Sequence, residues 1–521
     1  MSYSGFSSNS DNPYAGGGRV ILLFLLFLLS LYSLSTQGLT GFAITFGALP
    51  IMAIVVALAL HYQMFTFWAL FIINYFVSFM SRMGWLPIPT SVPNEALEML
   101  CLALAIIDAG IMRFEKIANA MGLAMLIWFL YCVLELLNNS CDLGFNFGVW
   151  YAGFRLIALQ LVYAFIVCSI YIDTPKKLIN YIRLWAILAL FASFWTWKQQ
   201  TFGFNDAEKV FLIVAARTHM VNGIVRFFSI FTDAASCGIN MAATAVMFYI
   251  IAITSKLKRD KIFFLITALA CTKTMFASGT RTAMFCLIIG FMIYVVLSKS
   301  VKIAVTVTIS GILFLCFMMF TTIGNGNNEI RRMRSAFNRN DASAGVRETN
   351  QAVIAKYMQD APWGIGIGVD YKNVPSNNKF RSLATIPPDS EYVYIWVHTG
   401  PIGITIFLIC QAMMWLGACC IVFFSLKNRA LQGIGAGFCA AFVAFQLGGY
   451  GNQILMQFPN TLLFYGSLAI VYCLPRIEKE YEEIEDKKYA EQQERERKKE
   501  EKEKAKRVKG LWSRLWKWWK R

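Results

Sequence analysis

Runs of about 17 to 25 apolar residues recur along almost the whole chain, each the length needed to cross a bilayer core as a helix. In lipid the backbone must satisfy its own hydrogen bonds, so such runs are helices. Barrel strands would be shorter and would alternate apolar with polar residues, and these runs do not. The fold class expected is therefore all-α: a polytopic integral membrane protein of about twelve to fourteen transmembrane helices. A chain that is 57% apolar and 15% charged carries too little charge to cover a soluble surface of this size.

Fourteen helices are expected, roughly at 19–36, 40–60, 63–83, 95–112, 118–137, 150–172, 177–199, 236–255, 261–278, 282–298, 301–322, 391–425, 430–447 and 460–475. The first, "VILLFLLFLLSLYSLS" after Arg19, is read as a span and not a signal peptide, because many helices follow it. Residues 1–18, rich in Ser, Gly and Asn, read as a disordered lead. Residues 19–475 form the transmembrane domain, and 476–521 a charged tail.

Lys and Arg in short loops set the orientation. The clusters are Arg113 with Lys116, Lys176 with Lys177, "SKLKRDK" at 255–261, Lys299 with Lys302, and Lys427 with Arg429. With fourteen spans all of them fall on the cytoplasmic side together with the tail. Two long loops, about 200–235 and 323–390, then face outward and are where an external activity would live. The net charge of +17 suits an anionic inner leaflet, and no nucleic acid partner is implied. In the tail, 476–507 mixes Glu, Lys and Arg without a heptad seam, and "RVKGLWSRLWKWWKR" has the make-up of an interfacial anchor. Most of the thirteen cysteines lie within apolar runs; Cys141 and Cys237 read as outward-facing, with a disulfide between them disfavoured.

Three arginines sit on the outer side: Arg226 in "GIVRFFSIFTDAASCG", Arg281 in "SGTRTA" and Arg347 in "SAGVRETNQ". A guanidinium binds phosphate oxygens bidentately and keeps its charge, so a multiply charged anion would explain them. The alternative is that each snorkels or pairs with an acid such as Asp233 or Glu348. "WGIGIG" at 363–368 has no strand before it and no βαβ unit around it, so its glycines are read as permitting a tight turn in a loop returning to the membrane.

Four stretches, "RFFSIFTDAASCG" (226–238), "SGTRTA" (279–284), "GVR" to "PWGIGIG" (345–368) and "DSEYVYIWVHTGPIG" (389–403), occur in one order across the C-terminal half. Together they resemble the O-antigen ligase and polymerase family of bacterial membrane glycosyltransferases. In the last stretch Ser390, Gly400 and Gly403 fit the family pattern, and Asp389 stands where the family has a histidine. His398 is out of register and is read as a buried, hydrogen-bonded residue.

The resemblance implies a metal-independent, inverting transfer without a cofactor. A glycan on undecaprenyl pyrophosphate would pass to an acceptor sugar hydroxyl on the outer face of the bacterial inner membrane. Asp389 would be the base, and Arg281 and Arg347 would hold the leaving pyrophosphate. Arg226, Glu391, Ser390 and Tyr392 would bind substrate, with Glu391 the reserve base and His219 a weaker one. The donor, a sugar or lipid-linked acceptor, the membrane and optionally a chain-length regulator would be the partners. A polymerase is preferred to a ligase acting on lipid A-core or on a protein hydroxyl. Two rivals are a metal site at "DSE" (389–391) and, in a different class, a transporter of the same lipid-linked glycans.

Overall fold

The computed structural model describes residues 61–85, 91–109, 115–215, 219–221, 224–337 and 342–519, with scattered positions between 24 and 58. The expected lead 1–18 and the spans 19–36 and 40–60 lie largely outside the described residues.

Each remaining expected span is a helix. In chain order they are α1 (Gln63–Met83), α2 (Ser91–Ala109), α3 (Ala120–Leu134), α4 (Phe147–Tyr171), α5 (Pro175–Thr201), a short α6 (Asp206–Val214), α7 (Ala234–Thr254), α8 (Lys258–Ala277), α9 (Arg281–Leu297) and α10 (Val301–Phe320). Then come the loop helices α11 (Asn328–Arg334) and α12 (Ala342–Met358), followed by α13 (Glu391–Ser425), α14 (Arg429–Gly451) and α15 (Asn460–Trp519). Eight of the described helices are long and apolar enough to cross a membrane. The architecture is an all-α bundle. Among the described residues its one departure is an antiparallel ladder of two residues a side, Met220–Val221 with Ile224–Val225.

Burial ranks the helices. Some 89% of the α7 span window is buried and 83% of that of α14, against 6% for α10. The first two therefore form the centre, and α10 lies at the periphery with its apolar side chains outward. Small residues let the central helices approach: a Cβ on Gly433 of α14 would sit 1.9 Å from Thr254 Oγ1 at the end of α7.

The two ends of the bundle differ in chemistry. At one end the basic clusters meet acids of neighbouring loops and of the tail. Lys116 and Lys177 both reach Asp173, at 3.3 and 2.7 Å, Arg183 reaches Asp260 at 2.9 Å, and Lys256 reaches Glu485 at 3.0 Å. The Lys427 amide donates to Glu478 at 2.6 Å, and Arg476 donates to the Glu115 carbonyl at 3.1 Å. Asp173 is held below the ordinary carboxylate range: burial alone would raise it, and Lys177 and Lys116 outweigh that. The tail continues α15 as one helix, with Lys498 and Glu494 paired at 2.6 Å across one turn.

At the other end lie the two long loops. The 323–390 loop is built around its own core of Ile354, Met358, Ile365, Val374, Phe380 and Leu383. It docks on a break in α13. Gly400 has φ 68°, and Pro401 has no N–H to give the Val397 carbonyl. That carbonyl accepts from Ile365 N–H at 2.9 Å, and the His398 carbonyl from Gly366 N–H at 3.1 Å. The Thr399 carbonyl accepts from Tyr131 Oη at 2.8 Å. Gly364 has φ 77°, and a Cβ there would lie 2.5 Å from the His398 carbonyl carbon. The "WGIGIG" glycines thus serve a tight return onto the bundle, as the sequence suggested.

Cys141 and Cys237 are both buried and free, which corrects their reading as outward-facing. They act as small apolar side chains in separate packing environments.

Candidate functional site: an arginine-lined cavity

A cavity of about 460 Å³ opens at the loop-bearing end, lined by His219, Arg226, Asp233, Thr280, Arg281, Arg332, Arg347, Asp389 and the 452–457 segment among others. Arg226, Arg281, Arg347 and Asp389 meet there, although up to 163 positions separate them in the chain. A fourth arginine, Arg332, joins them. Four guanidiniums therefore face two aspartates, and the site favours an anion.

Each cation is fixed by its element. Arg281 opens α9, with Thr280 at the cap, and α7 begins at Ala234, so two helix N-termini add their partial positive charge to the cavity wall. Arg226 is half-buried and donates to the Ser278 carbonyl at 3.3 Å and to Thr280 Oγ1 at 2.9 Å. Burial, then repulsion by Arg332, bring its guanidinium down to about 10 against the pull of Asp233; it stays charged at neutral pH. Arg332 Nε donates to the Gly279 carbonyl at 2.7 Å, where Gly279 has φ 59°. Arg347 stands on α12, one turn before Asn350.

The segment carrying Arg226 and Asp233 is clamped from below by Arg82 at the end of α1. Its guanidinium donates to the carbonyls of Ser229 at 2.9 Å, Phe231, and Thr232 at 3.2 Å. It also lies 4.4 Å from the Phe228 ring centroid and 4.7 Å from that of Phe211. Asp233 caps α7 by accepting from Ser236 N–H at 2.8 Å.

Asp389 precedes the N-cap of α13 and has φ 56°, with the Ser390 amide donating to the Pro388 carbonyl at 2.7 Å. A hydrogen bond across a central residue of positive φ is the rare γ-turn, a strained arrangement for a residue with a side chain. It turns the carboxylate out of the helix and toward the cavity, where Oδ2 accepts from Asn350 Nδ2 at 3.1 Å.

The neighbours expected to bind substrate point elsewhere. Glu391 is buried outside the cavity lining and accepts from Leu455 N–H at 2.9 Å. Ser390 Oγ donates to the Gly449 carbonyl at 3.3 Å, and Tyr392 Oη to the Gln446 carbonyl at 3.0 Å. All three tie the start of α13 to α14 and the segment after it. Successive helical residues differ by about 100° in direction, so adjacency to Asp389 does not bring them to its side. With Glu391 engaged there, "DSE" does not present a carboxylate pair to one ion. Among the described residues no group of three His, Cys, Asp or Glu converges as a metal-ligand set.

Two of the three histidines, His398 and His219, lie near these elements, and both are engaged. His398 is buried, with Nδ1 2.8 Å from the Tyr394 carbonyl and Nε2 3.1 Å from the Val369 carbonyl, as the sequence reading expected. His219 lines the cavity, but its Nε2 accepts from Ala234 N–H at 3.2 Å, which leaves Nδ1 as the protonated nitrogen facing the Ala215 carbonyl. Burial holds its imidazole below the ordinary histidine range.

Two further cavities adjoin. One of about 360 Å³ shares Gly279 and Arg332 with the arginine cavity and is lined by Phe227, Phe276, Asn328 and Glu329. The next, about 230 Å³, shares Ala277 with it and runs between α5 and α8 past Phe194 and Trp197, which are exposed on the outer surface of the bundle.

Residues 265–408 match the family model described as O-antigen ligase (Wzy_C). The matched segment holds Arg281, Arg332, Arg347 and Asp389, and excludes Arg226 and the 452–457 segment. Comparison with curated proteins returned no match.

Proposed function

We propose that this chain, with its O-antigen ligase domain at 265–408, polymerises lipid-linked glycan repeats on the outer face of the bacterial cytoplasmic membrane. Transfer of lipid-linked glycan in general is what the domain supports; the donor, polarity and chemistry below are our reading. The observation that carries it is one cavity lined by four arginines and a strained aspartate, with two further cavities beside it that share lining residues in turn.

The donor is a glycan on undecaprenyl pyrophosphate. Its pyrophosphate sits among Arg226, Arg281, Arg332 and Arg347, and its lipid follows the α5–α8 seam toward the bilayer. Asp389 takes the proton of an acceptor hydroxyl. The hydroxyl oxygen bonds to the anomeric carbon, and the bond from that carbon to the pyrophosphate oxygen breaks. The electron pair leaves with the lipid pyrophosphate, the proton rests on Asp389, and the anomeric configuration inverts. Charge grows on the leaving oxygens during the step, and preorganised guanidiniums and helix N-termini stabilise it. Ser390, Glu391 and Tyr392 act as positioning residues that anchor the start of α13.

Purified protein in detergent, given lipid-linked repeat units alone, tests this reading. A ladder of chain lengths supports the polymerase. Transfer only when lipid A-core is added makes the protein a ligase, and no transfer to any acceptor returns it to the transporter class.

A further inference from the structure

Beyond the last span, α15 continues as two parts of different chemistry. The first is a strap. Glu478 accepts from the Lys427 and Asn428 amides, both at 2.6 Å, and Glu485 pairs with Lys256 at 3.0 Å. Asp486 reaches Lys256 at 3.1 Å, and Gln492 accepts from the Lys258 amide at 3.2 Å. Lys258 Nζ also faces Glu496 at 4.0 Å. Tyr481, one turn after Glu478, is buried. From Glu478 to Glu496 the helix rises about 27 Å, and along that length it is held by the two short loops α7–α8 and α13–α14. Such loops adjoin the spans, so a helix fastened to them over that length follows the end of the bundle and does not stand straight off it.

The second part is a foot. The last sixteen residues, "KRVKGLWSRLWKWWKR" (506–521), hold seven Lys or Arg and no Asp or Glu, whereas the strap mixes both signs. Trp512, Trp516 and Trp519, four and three positions apart, share one face of α15 and are 69%, 58% and 78% exposed. Lys506 is exposed as well. A tryptophan ring suits the headgroup level of a bilayer, where its apolar body and its N–H both find partners. Basic residues beside it add attraction to anionic lipid.

We propose that the end of α15 is a binding surface for anionic lipid, with the Trp512, Trp516 and Trp519 face in the headgroup region and the basic residues against lipid phosphates. The leaflet is the one at the basic end of the bundle, where the strap is fastened. A second copy of the chain is a poorer partner, because two surfaces this basic repel each other. The surface lies at the opposite end from the arginine cavity and does not depend on the glycan reading.

The test uses full-length protein in nanodiscs of phosphatidylcholine alone or mixed with phosphatidylglycerol. Trypsin cleavage after Arg514 and Lys517 reads the foot, and cleavage after Lys502 reads the exposed helix before it. Foot cleavage is expected to be about tenfold slower in the discs with phosphatidylglycerol, with cleavage after Lys502 unchanged, and added salt should remove most of the difference. The double variant Trp512→Ser with Trp519→Ser should lose the protection while cleavage after Lys502 stays the same. Equal foot cleavage in the two kinds of disc would overturn the proposal. So would protection that survives in the double variant, or protection that appears in detergent and grows with protein concentration, as a contact between two copies would.

Discussion

Asn350 Nδ2 donates to Asp389 Oδ2 at 3.1 Å, so the helix that presents Arg347 to the cavity also aims the proposed base. The two α12 residues are three positions apart and share a face. Asn350 belongs to the positioning machinery, not to the group that takes the proton. Asn350→Ala should lower kcat roughly ten- to a hundredfold with little change in donor KM, because misaiming a base affects the transition state more than binding. Asn350→Gln should recover part of the loss if its longer amide still reaches. An unchanged kcat in Asn350→Ala would remove the residue from the account.

The arginines should differ from Asn350 in kind. Arg281→Ala and Arg347→Ala are expected to lose on the order of 10²–10³ in kcat, the range for removing one preorganised donor from developing negative charge. Arg→Lys should rescue poorly at both sites, since an ammonium cannot reproduce the planar fork. Arg332→Ala should behave likewise and also loosen Gly279, whose carbonyl it holds. Glycan yield near that of the wild type in any of these variants would take that residue off the pyrophosphate.

The sidedness of the cavity has its own test. The basic end of the bundle is expected to face the cytoplasm and the 323–390 loop the exterior. A cysteine introduced at the exposed Lys372 should react with an impermeant thiol reagent in intact spheroplasts, above the background of the native cysteines. Reaction only after lysis would reverse the orientation and with it the placement of the chemistry.

His219 predicts a pH dependence of stability. Its imidazole is held below the ordinary value near 6.5 in the folded protein, because burial opposes the charge and Arg226 and Arg82 add to that against the pull of Asp233 and the Ala215 carbonyl. The unfolded chain therefore binds more protons in the window below about 6.5, and the contribution, complete above that pH, fades as pH falls through it. The apparent unfolding temperature should drop more steeply from pH 7 to pH 5 in the wild type than in His219→Asn. Parallel profiles would contradict this.

How much of this was legible in the sequence follows from what a sequence encodes. The spans were readable because bilayer thickness fixes their length, and the expected helices within the described residues formed within several positions of their expected ends, except that the last, expected at 460–475, runs on through the charged tail to Trp519. Arg226, Arg281 and Arg347 were readable because a cation expected on the outer side needs a reason. Arg332 was not, since it sits among Arg331 and Arg334 and nothing in the sequence tells which of the three turns toward Gly279. Arg82, at the end of a span, carries no signal in the sequence, and only the fold brings Ser229, Phe231 and Thr232 to it. Asp389 was found by register, but Glu391 and Tyr392 were grouped with it by proximity, and the helical rotation after Ser390 separates them.

The central claim is that Asp389, not a histidine, takes the proton from the acceptor. Asp389→Asn can still accept from Asn350 through its amide oxygen, so it keeps the local geometry and removes the base. Chain extension by purified protein on lipid-linked repeats should be abolished in Asp389→Asn and largely kept in His398→Gln, whose ring nitrogens face carbonyls outside the cavity. Full extension by Asp389→Asn beside an inactive His398→Gln would contradict the account and give the proton to the histidine.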